Sequence, residues 1–411
     1  MSSPRRPATA RAGLSGVAGA TIFSAASGYL VLFVAARSLG ADRFDIFAVY
    51  WSAFFALTGI VNGLMHESTR AVHGALTTER RDGARPVVAA VAIGAAVAVL
   101  VLATSPIWAS RLVPEHTGLG VGLLAAAIAS FTIQAALSGA LSGAGRWGHY
   151  GTLLTVDAAL RLVVAAAAAA LGFPEVGLLV ATVCGSVTWI VLVLLSPACR
   201  EALRLRADVP LRPFLARVGQ AMVAASATAV LVVGTPVLLK ATAVGEDPRI
   251  LGGLILAVTL TRAPLLVPLT SFQNAIVVHF ADRRAAGARA LVPPVLAVLG
   301  IAVLGAAAAW VVGPPILAFM GEGFDMPGAE LAGLTLASGT TAALFLSGSA
   351  ALAHERHGGY VLGWWAATIA ALALLLLPLD LTARTIVALL VGPMLGIAWH
   401  TVEIVRAGRQ R

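Results

Sequence analysis

Eleven stretches of the chain contain no Asp, Glu, Lys or Arg: 12–36, 46–66, 86–110, 116–145, 176–199, 218–239, 263–281, 290–321, 331–354, 357–379 and 385–402. The hydrocarbon core of a bilayer, about 30 Å thick, takes about 20 apolar helical residues to cross. In lipid each segment has to satisfy its own backbone N–H and C=O groups, so apolar runs of this length cross as helices. A twelfth span fits between 150 and 172, where Asp157 and Arg161 interrupt an apolar run. The 263–281 stretch extends back to Ile250 and takes in Arg262. The sequence therefore predicts an all-α integral membrane protein of twelve spans.

Composition excludes the main alternatives. Of the 411 residues 59% are hydrophobic and 11% charged, against about 45–50% and about 25% in soluble domains. An ordinary cytosolic enzyme, a disordered chain and a fibrous repeat are all ruled out. The formal charge of +9 invites a nucleic-acid reading, but in a membrane protein basic residues collect on cytoplasmic loops. With the N-terminus inside, twenty Arg residues fall on cytoplasmic segments. Only Arg37, Arg43, Arg111, Arg249 and Arg384 fall outside. An odd number of spans would mix the two sets. Both termini are expected in the cytoplasm of a bacterial cell, the Ala/Arg/Gly bias suggesting a GC-rich genome, and no nucleic-acid partner is expected. The first apolar run exceeds the 7–15 residues of a signal-peptide core, so it reads as an uncleaved span. Cys184 and Cys199 sit at different depths, with no redox or metal motif around them.

The longest polar stretch between spans, roughly Pro197–Arg217, divides the chain into an N-terminal lobe (1–199), an amphipathic cytoplasmic connector (200–217) and a C-terminal lobe (218–411). Two sets of six spans suggest the internal repeat common in secondary transporters. No outside loop has room for a folded extracellular domain.

Ionisable residues at membrane depth are costly and mark function more often than in water. In span 8, Arg262 lies near mid-depth. Gln273 sits about three turns further along the same face, with Asn274 beside it, and Pro264 and Pro268 free backbone carbonyls locally. This pattern fits a cavity-facing cation for an anionic substrate; the plainer alternative is an Arg paired with a carbonyl or with Asp157. In span 5, Asp157 and Arg161 stand at i,i+4 in the favourable order for an intrahelical pair. They form either a self-neutralised pair or an ion-coupling acid whose charge responds to the neighbouring guanidinium. Thr58, Asn62, His66 and Arg70 form a polar stripe on the inner half of span 2. Ser130, Gln134, Ser138, Ser142 and Arg146 form another on span 4. These suggest a hydrophilic cleft or, equally, interhelical hydrogen bonding. His354-Glu355-Arg356-His357 lacks zinc-protease spacing, and no phosphate-binding G-x-x-x-x-G-K-[ST] loop is present. No cofactor, metal site or catalytic residue is expected.

Four segments resemble the polysaccharide-flippase (oligosaccharidyl-lipid) branch of the multidrug/oligosaccharidyl-lipid/polysaccharide exporter superfamily. GALSGAGRWGHYGTLLTVDAALRLVVAAAAAALG (139–172) is similar to the family's G-x-x-R-aromatic segment and the helix after it, with Asp157 and Arg161 at the acidic and basic places. ARSLGADRFDIFAVYWSAFFAL (36–57) resembles its R-x-L-G loop, with Asp45 where Gly is usual. GLMHESTRAV (63–72) resembles the end of its second span, and LTRAPLLVPLTSFQNAIVVHFADR (260–283) its second-half helix. The resemblance implies two six-helix lobes around a central cavity, alternating access, and transfer of a polyprenyl-pyrophosphate-linked glycan from the inner to the outer leaflet. The implied partners are that lipid-linked glycan, membrane lipids, and the polymerase or glycosyltransferases of the same pathway. Pyrophosphate needs cationic contacts, and Arg offers bidentate ones. Arg262, Arg70 and Arg161 are the candidates, with Gln273, Asn274, Asn62 and Gln134 as polar cavity contacts and Asp157 as the ion-coupling acid. Two other functions compete: a cation-coupled drug exporter, which would favour acidic cavity residues, and a polyprenyl-phosphate-sugar glycosyltransferase, which would use outside acids such as Asp42 and Asp45. A non-catalytic scaffold would give the intramembrane Arg no purpose.

Overall fold

The computed structural model describes residues 8–79 and 82–409. Ten helical stretches among them are long and apolar enough to cross a membrane. One of these, Ala8–Thr77, is two helices. Gly40 breaks it at φ 65°, ψ 177°, a left-handed value open to glycine but strained for residues with a Cβ. This gives α1 (residues 8–39) and α2 (residues 41–77). The others are α3 (Pro86–Leu112), α4 (Thr117–Gly143), α5 (Trp147–Ala170), α6 (Pro174–Cys184, continued by Thr188–Leu195), α7 (Leu211–Val232), α8 (Pro248–Ser271), α9 (Val292–Met320), α10 (Gly328–Ala353) and α12 (Leu381–Arg409). The shorter α11, His357–Leu374, is the twelfth. The protein is an all-helical, multi-pass membrane protein of twelve spans.

Pro and Gly set the ends. Pro86, Pro174 and Pro248 stand in the first turn of α3, α6 and α8, where a missing N–H costs nothing. Gly145 and Gly172 take positive φ just beyond α4 and α5. Large apolar side chains such as Val99, Leu100 and Ile107 on α3, and Leu304 and Val311 on α9, are exposed, as lipid-facing positions should be.

The chain divides into two compact units, Met1–Ser38 with Ala53–Ser226 and Leu39–Ser52 with Ala227–Arg411. In the first unit α3 packs on α4 and α5 on α6, around buried residues that include Leu64, Leu137, Leu141, Leu153 and Phe214. The connector holds a short helix, Pro197–Ala202, followed by a strap docked on this unit. Ala207 and Val209 bond to Ala84, and the N–H of Asp208 donates to the Ala71 carbonyl.

In the second unit α9 packs on α10, and α12 on both α10 and α11. Almost all of α10 is buried, and its hydroxyls bond mainly to its own carbonyls, as Thr335 does to Leu331 and Ser338 to Leu334. The first residues of α2 belong here. Ala41 donates to the Glu322 carbonyl at 3.1 Å, Phe44 meets Phe324 edge-on at 5.5 Å, and Asp45 takes a bond from Lys240 at 2.5 Å. Such contacts fix residues 39–52 to this unit more firmly than their place in the sequence implies.

Candidate functional site

Each unit contains a buried polar centre built around an arginine. In the first unit the centre is built on α5. Arg161, 5% exposed, donates through Nε to Asp157 Oδ1 at 2.5 Å and through Nη1 to the Thr182 carbonyl. Gln134 of α4 donates to the other carboxylate oxygen at 2.8 Å and accepts from the Thr188 hydroxyl at 3.1 Å. Phe54 and Phe55 each lie 5.1 Å from the guanidinium, a favourable setting for a delocalised cation. Asp157 and Arg161 thus neutralise each other within one helix, and the remaining bonds satisfy the pair rather than leave it open.

The cluster depends on a break in α6. Residues Gly185–Val187 form a 3-10 turn between its two parts. A Cβ at Gly185 would overlap the Asp157 carboxylate and lie 2.6 Å from Arg161 Nε. Only a residue without a side chain lets α6 pass this close to the ion pair.

The centre of the second unit is Arg262, 6% exposed on α8. Its Nη1 donates to the Thr235 hydroxyl at 2.8 Å and to the Val232 carbonyl at 3.1 Å. These acceptors lie where α7 ends at Val232 and a short helix, Thr235–Thr242, begins. Pro236 has no N–H, so the Val232 carbonyl loses the donor a continuing helix would give it; Arg262 supplies one. No carboxylate bonds to Arg262 among the described residues, and its Nη2, fully buried, has no hydrogen-bond partner. A buried guanidinium with a free donor and no counter-charge is an anion-binding group in chemical terms.

The remaining candidates are placed differently. Arg70 is drawn into an ion-pair network on the connector side. It binds Glu67 at 2.6 Å and Asp208 at 2.8 Å, so its charge is already matched. The Arg70 guanidinium in turn holds the Asp208 carboxyl below the usual carboxylate range. Arg146 likewise binds Glu201 at 2.8 Å. The stripe on α4 is packed rather than open. Ser138 and Ser142 are buried, and Cβ atoms at Gly139 and Gly143 would lie 2.5 Å from the Met65 carbonyl and 2.6 Å from the Thr69 carbonyl of α2. This is close small-residue packing. Asn62 is half-buried on α2 and His66 exposed. Gln273 does not share a continuous helix with Arg262: α8 ends at Ser271, and Gln273 opens a second helix, Gln273–Asp282. The side chain of Asn274 lies outside the described residues. Asp42 and Asp45 are paired with Arg249 and Lys240, which leaves neither poised as a general acid or base.

Sequence reasoning missed two supports of these centres, Gly185 and Thr235 with Pro236, and, apart from them, the Asp45–Lys240 pair. A Gly in an apolar span has no local signal. The G-T-P run at 234–236 did mark a helix break, and Lys240, the sole lysine of the chain, marked a position in need of a carboxylate.

No family model matches the chain. The uncharacterized proteins Rv1510 and Rv3630 of Mycobacterium tuberculosis are 43% identical to it, over 400 and 404 residues. Both alignments cover 97% of this chain, and 92% and 93% of the two relatives. Among solved structures, an inward-facing conformation of a multidrug resistance MATE family transporter of the MOP superfamily matches 94% of this chain and 96% of its own, with TM-score 0.71 and 14% identity. A MOP superfamily transporter from Pyrococcus furiosus, described by the reverse polarity of its binding pocket, matches 96% of each chain, with TM-score 0.64 and 13% identity. Across identities this low the likeness is one of fold. The chain belongs to the family of the mycobacterial proteins Rv1510 and Rv3630, and it has the fold of the MOP-superfamily transporters.

Proposed function

We propose that the protein is a flippase that carries a polyprenyl-pyrophosphate-linked oligosaccharide, or a related polysaccharide precursor, from the inner to the outer leaflet by alternating access. The observation that carries this reading is Arg262. It is a buried cation at membrane depth with, among the described residues, no bonded carboxylate and an unpartnered Nη2. A cation kept in that state has a large electrostatic gain available from an anion, and a pyrophosphate is the anion a lipid-linked glycan presents. Arg161 and Arg70 contribute less, because Asp157, Glu67 and Asp208 already match their charges. The fold supports transport through its likeness to MOP-superfamily transporters. The Pyrococcus protein whose pocket polarity is described as reversed supplies a precedent for a site of unusual charge on this fold.

A second reading, export of a cationic drug, draws on the multidrug transporters of like fold. It asks for an exposed carboxylate, whereas Asp157 is held by Arg161 and Gln134.

The test is reconstitution in vesicles that carry a fluorescent polyprenyl-pyrophosphate glycan in one leaflet, with exchange read by an impermeant quencher. Acceleration by the wild type that is lost in Arg262→Ala, and only partly restored by Arg262→Lys, supports the proposal. Glycosyl transfer to an acceptor without leaflet exchange refutes it, as does normal exchange in Arg262→Ala for the site.

A further inference from the structure

The loop between α3 and α4 and the first turn of α6 bring together three side chains with no part in either buried centre. Glu115, His116 and Glu175 each place one ligand atom within 4.8 Å of the other two. His116 Nε2 and Glu175 Oε2 are 3.8 Å apart. That separation is long for a hydrogen bond, which closes at about 2.7–3.2 Å. It is close to the spacing of two ligands on one ion: at metal–ligand distances of about 2.0–2.2 Å, tetrahedral neighbours lie roughly 3.3–3.6 Å apart. A contraction of a few tenths of an ångström would bring the two atoms onto a shared ion.

The donor set is selective. An imidazole with two carboxylates suits zinc and its first-row neighbours, whereas calcium and magnesium prefer oxygen alone. The His also distinguishes the group from a surface patch of acids. Its position on the chain is well fixed: the His116 carbonyl accepts from Gly120 N–H at 2.8 Å, and Glu175 follows Pro174 in the first turn of α6. With the N-terminus inside, as the basic-residue count predicts, this end of the spans faces outward, where metal reaches it without crossing the membrane. Adjacent ligands at 115 and 116 with the third far along the chain match no sequence motif, so spacing alone could not reveal the set.

We infer that Glu115, His116 and Glu175 form a divalent transition-metal site of zinc type that clips the α3–α4 hairpin to the start of α6, independent of the substrate carried through the protein. Three protein ligands leave at least one coordination position for water.

The experiment uses the full chain in detergent or nanodiscs, stripped with a chelator and titrated with ZnCl2. Bound zinc is measured after desalting, and thermal unfolding with and without metal. The expected result is one tight zinc per chain that raises the unfolding temperature, with affinity lowered at least tenfold in His116→Ala and in Glu175→Gln, and no comparable effect of MgCl2. The metal-free variants should unfold at the wild-type metal-free temperature. If a variant fails to fold, Co2+ bound to the wild-type chain gives a second measurement. Visible absorption of a four- or five-coordinate nitrogen/oxygen site supports the inference, and the spectrum of hexa-aqua cobalt overturns it. No zinc bound, or equal zinc bound by the wild type and the His116→Ala/Glu175→Gln double variant, also overturns it.

Discussion

Arg262 donates to the Thr235 hydroxyl at 2.8 Å, so this buried guanidinium is held by a neutral group at a proline-broken helix end. The arrangement orients the cation without cancelling its charge. Arg262→Met should therefore do two things at once. It should leave the Val232 carbonyl without a donor, destabilising the protein by about 1–3 kcal/mol, and it should abolish leaflet exchange. Thr235→Val keeps the charge and loses one acceptor, so it should lower stability while retaining transport. Unfolding in detergent, together with the quencher assay, separates the two effects.

Asp157 and Arg161 present the opposite case, a cation and an anion that cancel within four residues. Removing one member of a buried pair costs about 3–5 kcal/mol, whereas replacing both with apolar groups is often near neutral. Asp157→Leu should be strongly destabilising, and Asp157→Leu/Arg161→Met less so than the single change. With its carboxylate occupied by a tethered cation, imposed sodium or pH gradients are expected to leave the transport rate unchanged. A gradient-driven rate that disappears in Asp157→Asn would assign the coupling role to this acid.

Gly185 carries the close approach of α6 to that pair. Gly185→Ala should displace the carboxylate or the helix and destabilise the protein by roughly 1–3 kcal/mol, as overpacking does. The same substitution at Gly172, where no atom lies near the added Cβ but φ is +78°, should act through backbone strain alone. Comparing the two in the Arg161→Met background separates them: only the Gly185 effect should shrink.

Asp208 gives a pH dependence. Its hydrogen bond from Arg70 depresses its folded-state pKa. The stabilisation is therefore present at and above the ordinary carboxylate pKa, about 3.9, and is lost as pH falls through the lower, folded value. Infrared difference spectra of the wild type against Asp208→Asn should show this carboxyl protonating only below the usual range. In Arg70→Gln it should protonate at higher pH; an unmoved band would mean the guanidinium is not the cause.

Asp45 is 1% exposed and its Oδ1 has no hydrogen-bond partner, so its charge rests on Lys240. Lys240→Met should cost about 3–5 kcal/mol, and adding Asp45→Asn should recover part of it. Thermal unfolding of the three proteins provides the comparison.

The sequence by itself determined the membrane class and the twelve spans. Apolar length, Pro and Gly act locally, and the bilayer requires each span to satisfy its own backbone. It also determined which charges lie at membrane depth, because Arg161, Asp157 and Arg262 interrupt runs where charge is costly. What those charges do was decided only by tertiary structure. The i,i+4 spacing offered the Asp157–Arg161 pair, but only the tertiary structure shows that Gln134 and Thr182 clasp it, and that Arg262 bonds to Thr235 and to the Val232 and Leu231 carbonyls with no carboxylate bonded to it among the described residues. The partners of a side chain in a helical bundle come from other helices, far along the chain. The same reason kept Arg70 legible as a cation but not as half of an ion pair with Asp208. It also left Glu115, His116 and Glu175 looking like unrelated loop residues until the ends of three helices brought them together.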